Sequence, residues 1–293
     1  MTWWCAATRL PWSWSPRAYP GVWLFIGLIA VSSIVVVRRS ETRPSRRQVT
    51  AWWGGVLALW LASDWPVGAL GSGYLASAHM LQYILYTFVA SPLLVLAVPE
   101  PMARRFLHRT RTMGAYRVLA RPLLAGVLAN AVLVATHAPV TVDTFRANQL
   151  GSFALDLVWL AGGIVMWLPV CGPITEARPS YPARSIYLFL AAGLVPMVPG
   201  GFLTFADFPL YRTYELAPRV DGIRPIEDQQ FAGALMKVGN LPLIWPIIGT
   251  MFWRWAAADR LADRASAPRT TGSSGRLGRL PPRVHPAGLA SGA

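Results

Sequence analysis

Charge is scarce in this chain. Only 14% of its 293 residues are Asp, Glu, Lys or Arg, well short of the roughly 25% of a soluble domain. With 54% apolar residues beside it, that shortage excludes a fold with an ordinary water-facing surface and makes a bilayer the natural solvent. Lysine is nearly missing, Lys237 being the single copy, so the positive charge is almost all arginine. Cysteine is limited to Cys5 and Cys171, with no CxxC pair, which excludes a redox dithiol motif. Soluble-enzyme signatures are missing too: there is no GxxxxGK[ST] phosphate loop, HExxH helix or GxSxG elbow, and the expectation is a protein that is not an enzyme. No repeat of 20 to 50 residues and no inverted pair of broken helices is visible, which lowers a transporter reading.

What is present is a series of apolar runs near the roughly 20 residues that cross a hydrocarbon layer about 30 Å thick. They span Gly21–Val37, Val49–Ser63, Tyr74–Val98, Val118–Thr136, Leu150–Cys171, Ser185–Phe205 and Gln230–Trp255. The expected fold is therefore an all-α integral membrane protein, a bundle of about seven transmembrane helices. Arg38–Gln48 and Pro99–Arg117 carry five arginines each, and Arg254–Ala293 carries seven, whereas Asp64–Gly73 carries none and His137–Gln149 one. This alternation puts the N-terminus outside and the C-terminus in the cytoplasm, with Cys5 and Cys171 on opposite faces and so not disulfide-bonded. Tryptophans near run ends, such as Trp23, Trp65 and Trp253, fit an interfacial belt. The expected organisation is an extracytoplasmic segment over 1–20, a membrane domain over 21–255 and a solvated basic tail over 256–293 that can meet anionic lipid. The net charge of +14 forms no aromatic-interleaved basic face, so no nucleic acid is expected.

Polar residues inside membrane spans are costly and are functional candidates by default. In the predicted topology His79, Gln82, Asp156, Lys237 and Asn240 fall in the outer halves of spans, and Asp64, His137, Asp228, Gln229 and Gln230 lie at the same rim. This predicts a polar cluster open to the outside. His79, Gln82 and Tyr83 share a helix face at spacings of three and four, and Met80 adds a soft thioether beside His79. Imidazole and thioether donors suit copper, but a lone His also serves as an ordinary interhelical hydrogen-bonding group, and both readings stand. Lys237 needs a partner inside its span, and Asp156 is the expected one, either as a structural pair or as part of a transport pathway. Pro196, Pro199, Gly200 and Gly201 in the sixth run, and Gly239, Asn240, Pro242 and Pro246 in the seventh, predict kinks facing the bundle interior.

Three stretches carry a family resemblance. Ser77-Ala78-His79-Met80-Leu81-Gln82 followed by Ser91-Pro92-Leu93-Leu94 resembles the SAHMLQH and PPLLLL segments of CtaG-type cytochrome c oxidase assembly factors, the membrane family associated with caa-type oxidases. Tyr187-Leu188-Phe189-Leu190, then Gly201–Phe205 and Pro209-Leu210-Tyr211, is similar to that family's sixth-helix region. Glu227–Met236 is similar to its DQQLAGLIMW signature, and the three together cover about Ala51 to Trp255. The resemblance implies a plasma-membrane protein of bacteria that helps a haem-copper oxidase mature, with oxidase subunits as partners and copper as a possible cargo. It points first to His79, Asp228, Gln229 and Gln230, then to Met80, Met236, Asp64 and His137, with a copper set of His79, Met80 and Met236. The family's second motif histidine is Tyr83 here, and its histidines early in the fifth helix have no counterpart within Gly151–Asp156.

Overall fold

The computed structural model describes residues 2–39 and 42–266, and every regular element among them is helical. Helices α1 (Pro20–Arg39), α2 (Arg46–Ser63) and α3 (Val67–Gly73) precede a long helix α4 (Ala76–Ala97). Three short helices follow, α5 (Glu100–Arg109), α6 (Met113–Leu119) and, after a bend of 76°, α7 (Pro122–Thr136). Then come α8 (Pro139–Arg146), α9 (Gln149–Cys171), α10 (Tyr181–Phe205), α11 (Arg212–Glu215), α12 (Pro225–Val238) and α13 (Leu241–Ser266).

Local chemistry sets the boundaries. Pro122, Pro139 and Pro225 open α7, α8 and α12, where a proline's missing N–H costs nothing and its fixed φ suits the first turn. Ser45 and Gln48 form a reciprocal capping box on α2, and the Asn148 side chain accepts from the Gly151 N–H at 2.8 Å to start α9.

Each of the seven apolar runs is helical, but fewer than seven are clear spans. Among the described residues four helices are long and apolar enough to cross a membrane: Ala76–Ala97, Gln149–Cys171, Tyr181–Phe205 and the joined Pro225–Leu261. The bent pair of α6 and α7 makes a fifth if counted as one span. The first run falls short because its apolar helix, Pro20–Val35, is only about 24 Å long at 1.5 Å per residue; α2 spends its first turn on Arg46, Arg47 and Gln48. The last run also ends later than Trp255. Ala256, Ala257, Ala258 and Leu261 carry α13 on to Ser266, as their high helix propensity favours. The rest of the expected basic tail, 267–293, lies outside the described residues.

The helical hydrogen bonding is interrupted at Pro196 and at Gly239–Asn240, whereas Pro246 lies inside α13, and neighbouring side chains satisfy backbone groups freed at these breaks. In α4 and α10 a single wide π turn, Leu85–Ala90 and Phe189–Leu194, comes two residues before a proline, Pro92 and Pro196. Proline cannot return a hydrogen bond to the carbonyl four residues back. For Pro196 that carbonyl is Ala192, which accepts instead from Asn240 Nδ2 at 2.6 Å, while Asn130 Nδ2 reaches the neighbouring Ala191 carbonyl at 3.1 Å. In α4 the Thr87 carbonyl accepts from Trp167 Nε1 at 2.8 Å and the Tyr86 carbonyl from Ser91 Oγ at 2.7 Å. Asn240 is thus a structural group that stitches α10 to the α12–α13 break. Beside it, α10 and α12 cross at Gly200 and Gly233 so closely that a Cβ on Gly233 would stand 2.7 Å from the Gly200 carbonyl, the small-residue contact by which membrane helices approach.

At the far end of α4, Arg104 bridges Glu100 at 2.6 Å and Glu176 at 2.7 Å, and Thr175 donates to Glu100 at 2.6 Å. Hydrogen bonding from Arg104 lowers the Glu176 carboxyl to about 2. A folded value below the ordinary glutamate value means the link contributes at neutral pH, and that contribution is lost as pH falls from about 4.5 towards 2. Both partners are exposed, so solvent screens the link. The Glu176 carboxyl carbon should therefore titrate near 2 by NMR in the native protein and near its ordinary value in Arg104→Ala. An ordinary value in both would show that the bridge does not form in solution.

Candidate functional site

The polar cluster is assembled where α4 begins. The first residues of α4 are held by Asp228 at the start of α12, whose carboxylate accepts from the Ala76 N–H at 2.5 Å, from the Ser77 N–H at 3.3 Å and from the Ser77 hydroxyl. A carboxylate at a helix N-terminus meets unsatisfied N–H groups and the positive end of the helix dipole. His79 follows within one turn, with Gln82 and Tyr83 on the same face.

Arg146 is the hub of the site. It ends α8, whose buried side is formed by Val142 and Arg146 at a spacing of four, and it is fully buried, with 0% of its surface exposed. One guanidinium nitrogen lies 3.1 Å from the buried Asp156 carboxylate, and Trp4 Nε1 donates to the other Asp156 oxygen at 2.9 Å. The guanidinium lies over the Trp159 ring at 5.0 Å, with Nε 3.4 Å from His79 Nδ1 and Nη2 3.5 Å from the Gln82 carbonyl oxygen. The N-terminal residues cover one end of the site. Trp3 and Trp4 offer their N–H groups to Gln149, and the Ala7 N–H donates to the Arg146 carbonyl at 2.9 Å.

Beyond Arg146 the cluster is aromatic. His79 and His137 meet edge to face with centroids 5.3 Å apart. Trp159 flanks both, at 4.8 Å from His79 and nearly parallel to His137 at 5.6 Å, and Tyr83 packs on His137 at 4.8 Å. His79 Nδ1 lies 2.8 Å from the Tyr214 hydroxyl, which donates to the Gly71 carbonyl at 2.7 Å. His137 Nδ1 donates to the Leu133 carbonyl at 2.9 Å. The Nε2 atoms of both imidazoles are buried without a partner.

The expected residues divide on this map. His79, Gln82, Tyr83, His137 and Asp156 come together as one cluster, but it is sealed rather than open, with His79 at 4%, Gln82 at 1% and Asp156 at 2% exposure. The expected Asp156–Lys237 pair does not form. Asp156 belongs to Arg146 and Trp4, and the Lys237 ammonium sits 4.9 Å from the Phe205 ring centre. Asp64 serves elsewhere, accepting from the Trp23 and Trp60 indoles at 2.8 Å each. Gln229 is buried and holds the loop before α11 through the Leu210 N–H and the Phe208 carbonyl, whereas Gln230 is exposed. Met80 and Met236 lie in the apolar core. Among the described residues no group of three or more His, Cys, Asp or Glu side chains could hold a metal ion. Cys5 and Cys171 are free thiols.

Sequence reasoning missed Arg146, Trp4, Trp159 and Tyr214. Arg146 counts as a loop charge by hydropathy. The available signal was Pro139 opening a short helix whose Val142 and Arg146 share a face.

The family model described as cytochrome c oxidase caa3 assembly factor (Caa3_CtaG) matches residues 31–258. No curated protein and no solved structure matches the chain. The matched span contains α4, α8, α9 and α12, the helices that supply His79, Arg146, Asp156 and Asp228. This chain belongs to the cytochrome c oxidase caa3 assembly factor family.

Proposed function

We propose that this protein matures a haem-copper oxidase in the bacterial plasma membrane, handling copper on its way to the oxidase and performing no catalytic turnover of its own. The observation that carries this reading is the family match over residues 31–258. In this reading the chain spans the membrane seven times, α1 and α2 included, with its N-terminus outside. The arginine-rich connections support that orientation, and oxidase subunits meet the bundle laterally within the lipid. The neighbouring imidazoles of His79 and His137, with ring centroids 5.3 Å apart, support copper as cargo, since imidazole is a good copper donor. The alternative reading, a small-molecule or metal-ion transporter, is not favoured by the Asp156–Lys237 pair it invoked, since Asp156 pairs with Arg146 instead.

The test is the copper-to-haem ratio of the terminal oxidase purified from cells lacking this protein. Low copper with normal haem, restored by the wild-type copy, is the expected result. Normal copper and activity in the deletion would show that oxidase maturation is not its task.

A further inference from the structure

We propose that the cleft between α1, α2 and the end of α4 binds one anionic glycerophospholipid, with an acyl chain inside the cleft and the phosphate at its arginine-rich mouth. The proposal rests on the reading above that α1 and α2 lie in the bilayer. The cleft has a volume of about 430 Å³, within the roughly 300–1,000 Å³ of ligand sites.

The walls are apolar. Ile34 of α1, Val49, Trp52 and Trp53 of α2, and Met102 of α5 line them. Two serines of α1 also line the cleft, but their protons are already used within the helix. Ser32 Oγ donates to the Ile29 carbonyl at 2.9 Å, and Ser33 Oγ to the Ala30 carbonyl at 2.6 Å. Pro44 and Pro99 bring no N–H to it. Such walls take up hydrocarbon in preference to water.

The mouth is of the opposite character. Arg38, near the end of α1, and Gln48, in the first turn of α2, line it at the end where the two helices are joined. Gln48 Oε1 accepts from the Ser45 N–H at 2.9 Å, so the group its amide can offer the cleft is N–H. Arg38 is exposed, as are Arg43, Arg46 and Arg47 beyond it. The first turn of α2 holds Arg46 and Arg47 and no acidic residue, although the positive end of a helix dipole disfavours cations. An anion at the mouth relieves that conflict. Among the described residues no Asp or Glu lines the cleft. Cations and donors at one end of an apolar cleft match a molecule with an anionic head and a hydrocarbon tail, and basic pockets between membrane helices hold acidic lipids in this way. The chain's own tail is a poor occupant, because residues 267–293 carry four arginines and no Asp or Glu. A second copy would likewise bring arginines to arginines.

Native mass spectrometry of the full-length protein, delipidated in detergent and titrated with phosphatidylglycerol or phosphatidylcholine of matched chains, tests the site. We expect one retained phosphatidylglycerol per chain, with phosphatidylcholine held about fivefold more weakly. Arg38→Ala should weaken phosphatidylglycerol about fivefold and leave phosphatidylcholine unchanged. Ser32→Trp fills the cleft from an exposed position on α1 and should remove both adducts. Arg121→Ala, at an exposed arginine outside the cleft lining, should bind as the wild type does. Glycerol phosphate has no acyl chain, and an excess of it should not displace the lipid. Equal retention of the two lipids, undiminished binding in both cleft variants, the same loss in Arg121→Ala, displacement by glycerol phosphate, or a dimer that Ser32→Trp dissociates would each overturn the site. The topology is tested separately. In a Cys5→Ser/Cys171→Ser background, Ser32→Cys should be shielded from a membrane-impermeant maleimide in native vesicles. Shielding without lipid retention fails this inference and leaves the topology standing, whereas labelling with retention fails the topology reading alone.

Discussion

Arg146→Ala should cost this protein about 3–5 kcal/mol of stability, the usual result of removing one partner from a buried ion pair. Arg146 is fully buried and Asp156 is 2% exposed, so the variant would leave a carboxylate in a dry environment with only the Trp4 indole to hold it. It would also remove the cation over Trp159 and the guanidinium contact to Gln82. The sign of the effect reverses when both charges go. Arg146→Met combined with Asp156→Leu leaves no uncompensated charge and fills similar volume, so it should recover most of the loss. The readout is the temperature at which the detergent-solubilised protein loses its monodisperse peak. An Arg146→Ala variant that melts with the wild type would mean that water reaches the pair and that the site is not sealed. The double variant asks a second question. If it is stable yet no longer supports oxidase assembly, the pair is retained to shape the His79 cluster rather than to hold the bundle together.

The legible and illegible parts of the molecule separate along physical lines. Apolar runs of membrane length were visible because hydropathy is a local property, and helices occur in all seven places. The helix interruptions at Pro196 and at Gly239–Asn240 were visible because proline and glycine act on their own turn. Partnership was not visible. Lys237 and Asp156 look complementary as the apparent ionisable pair within the apolar runs, but hydropathy says nothing of a short helix folded back between spans. That helix, α8, delivers Arg146 to Asp156 from a segment counted as loop. The N-terminal segment was hidden for the same reason: nothing in Trp3-Trp4-Cys5 states that Trp4 will end 1% exposed against Asp156. His79 was found because a histidine inside an apolar run stands out. Its true neighbour, His137, was read as a helix-end residue, and it is one, capping α7. Its ring turns inward, and only the packing of α7 against α9 brings it beside Trp159.

Asp228→Ala should lower stability by about 3 kcal/mol, the loss of hydrogen bonds to a charged acceptor together with a helix-terminus interaction. Asp228 is 5% exposed, and its carboxylate receives the first two N–H groups of α4 and the Ser77 hydroxyl from a helix more than 150 positions away in the chain. Alanine would leave the buried Ala76 N–H and the half-buried Ser77 donors without this acceptor. Its neighbour Glu227 supplies the contrast, since its carboxylate is exposed and meets only Arg224 on the same turn, so Glu227→Ala should stay within about 0.5 kcal/mol of the wild type. Asp228→Asn keeps one acceptor and should fall between the two. Hydrogen exchange locates the damage. In Asp228→Ala the amides of Ala76, Ser77 and His79 should lose protection ahead of those in α9, because the N-terminus of α4 is what Asp228 fastens. Uniform loss across both helices would mean that the carboxylate supports the whole bundle. Loss confined to α4 would tie the DQQ-like segment Asp228-Gln229-Gln230 to the placement of His79, which gives that segment a role without any direct contact with a ligand.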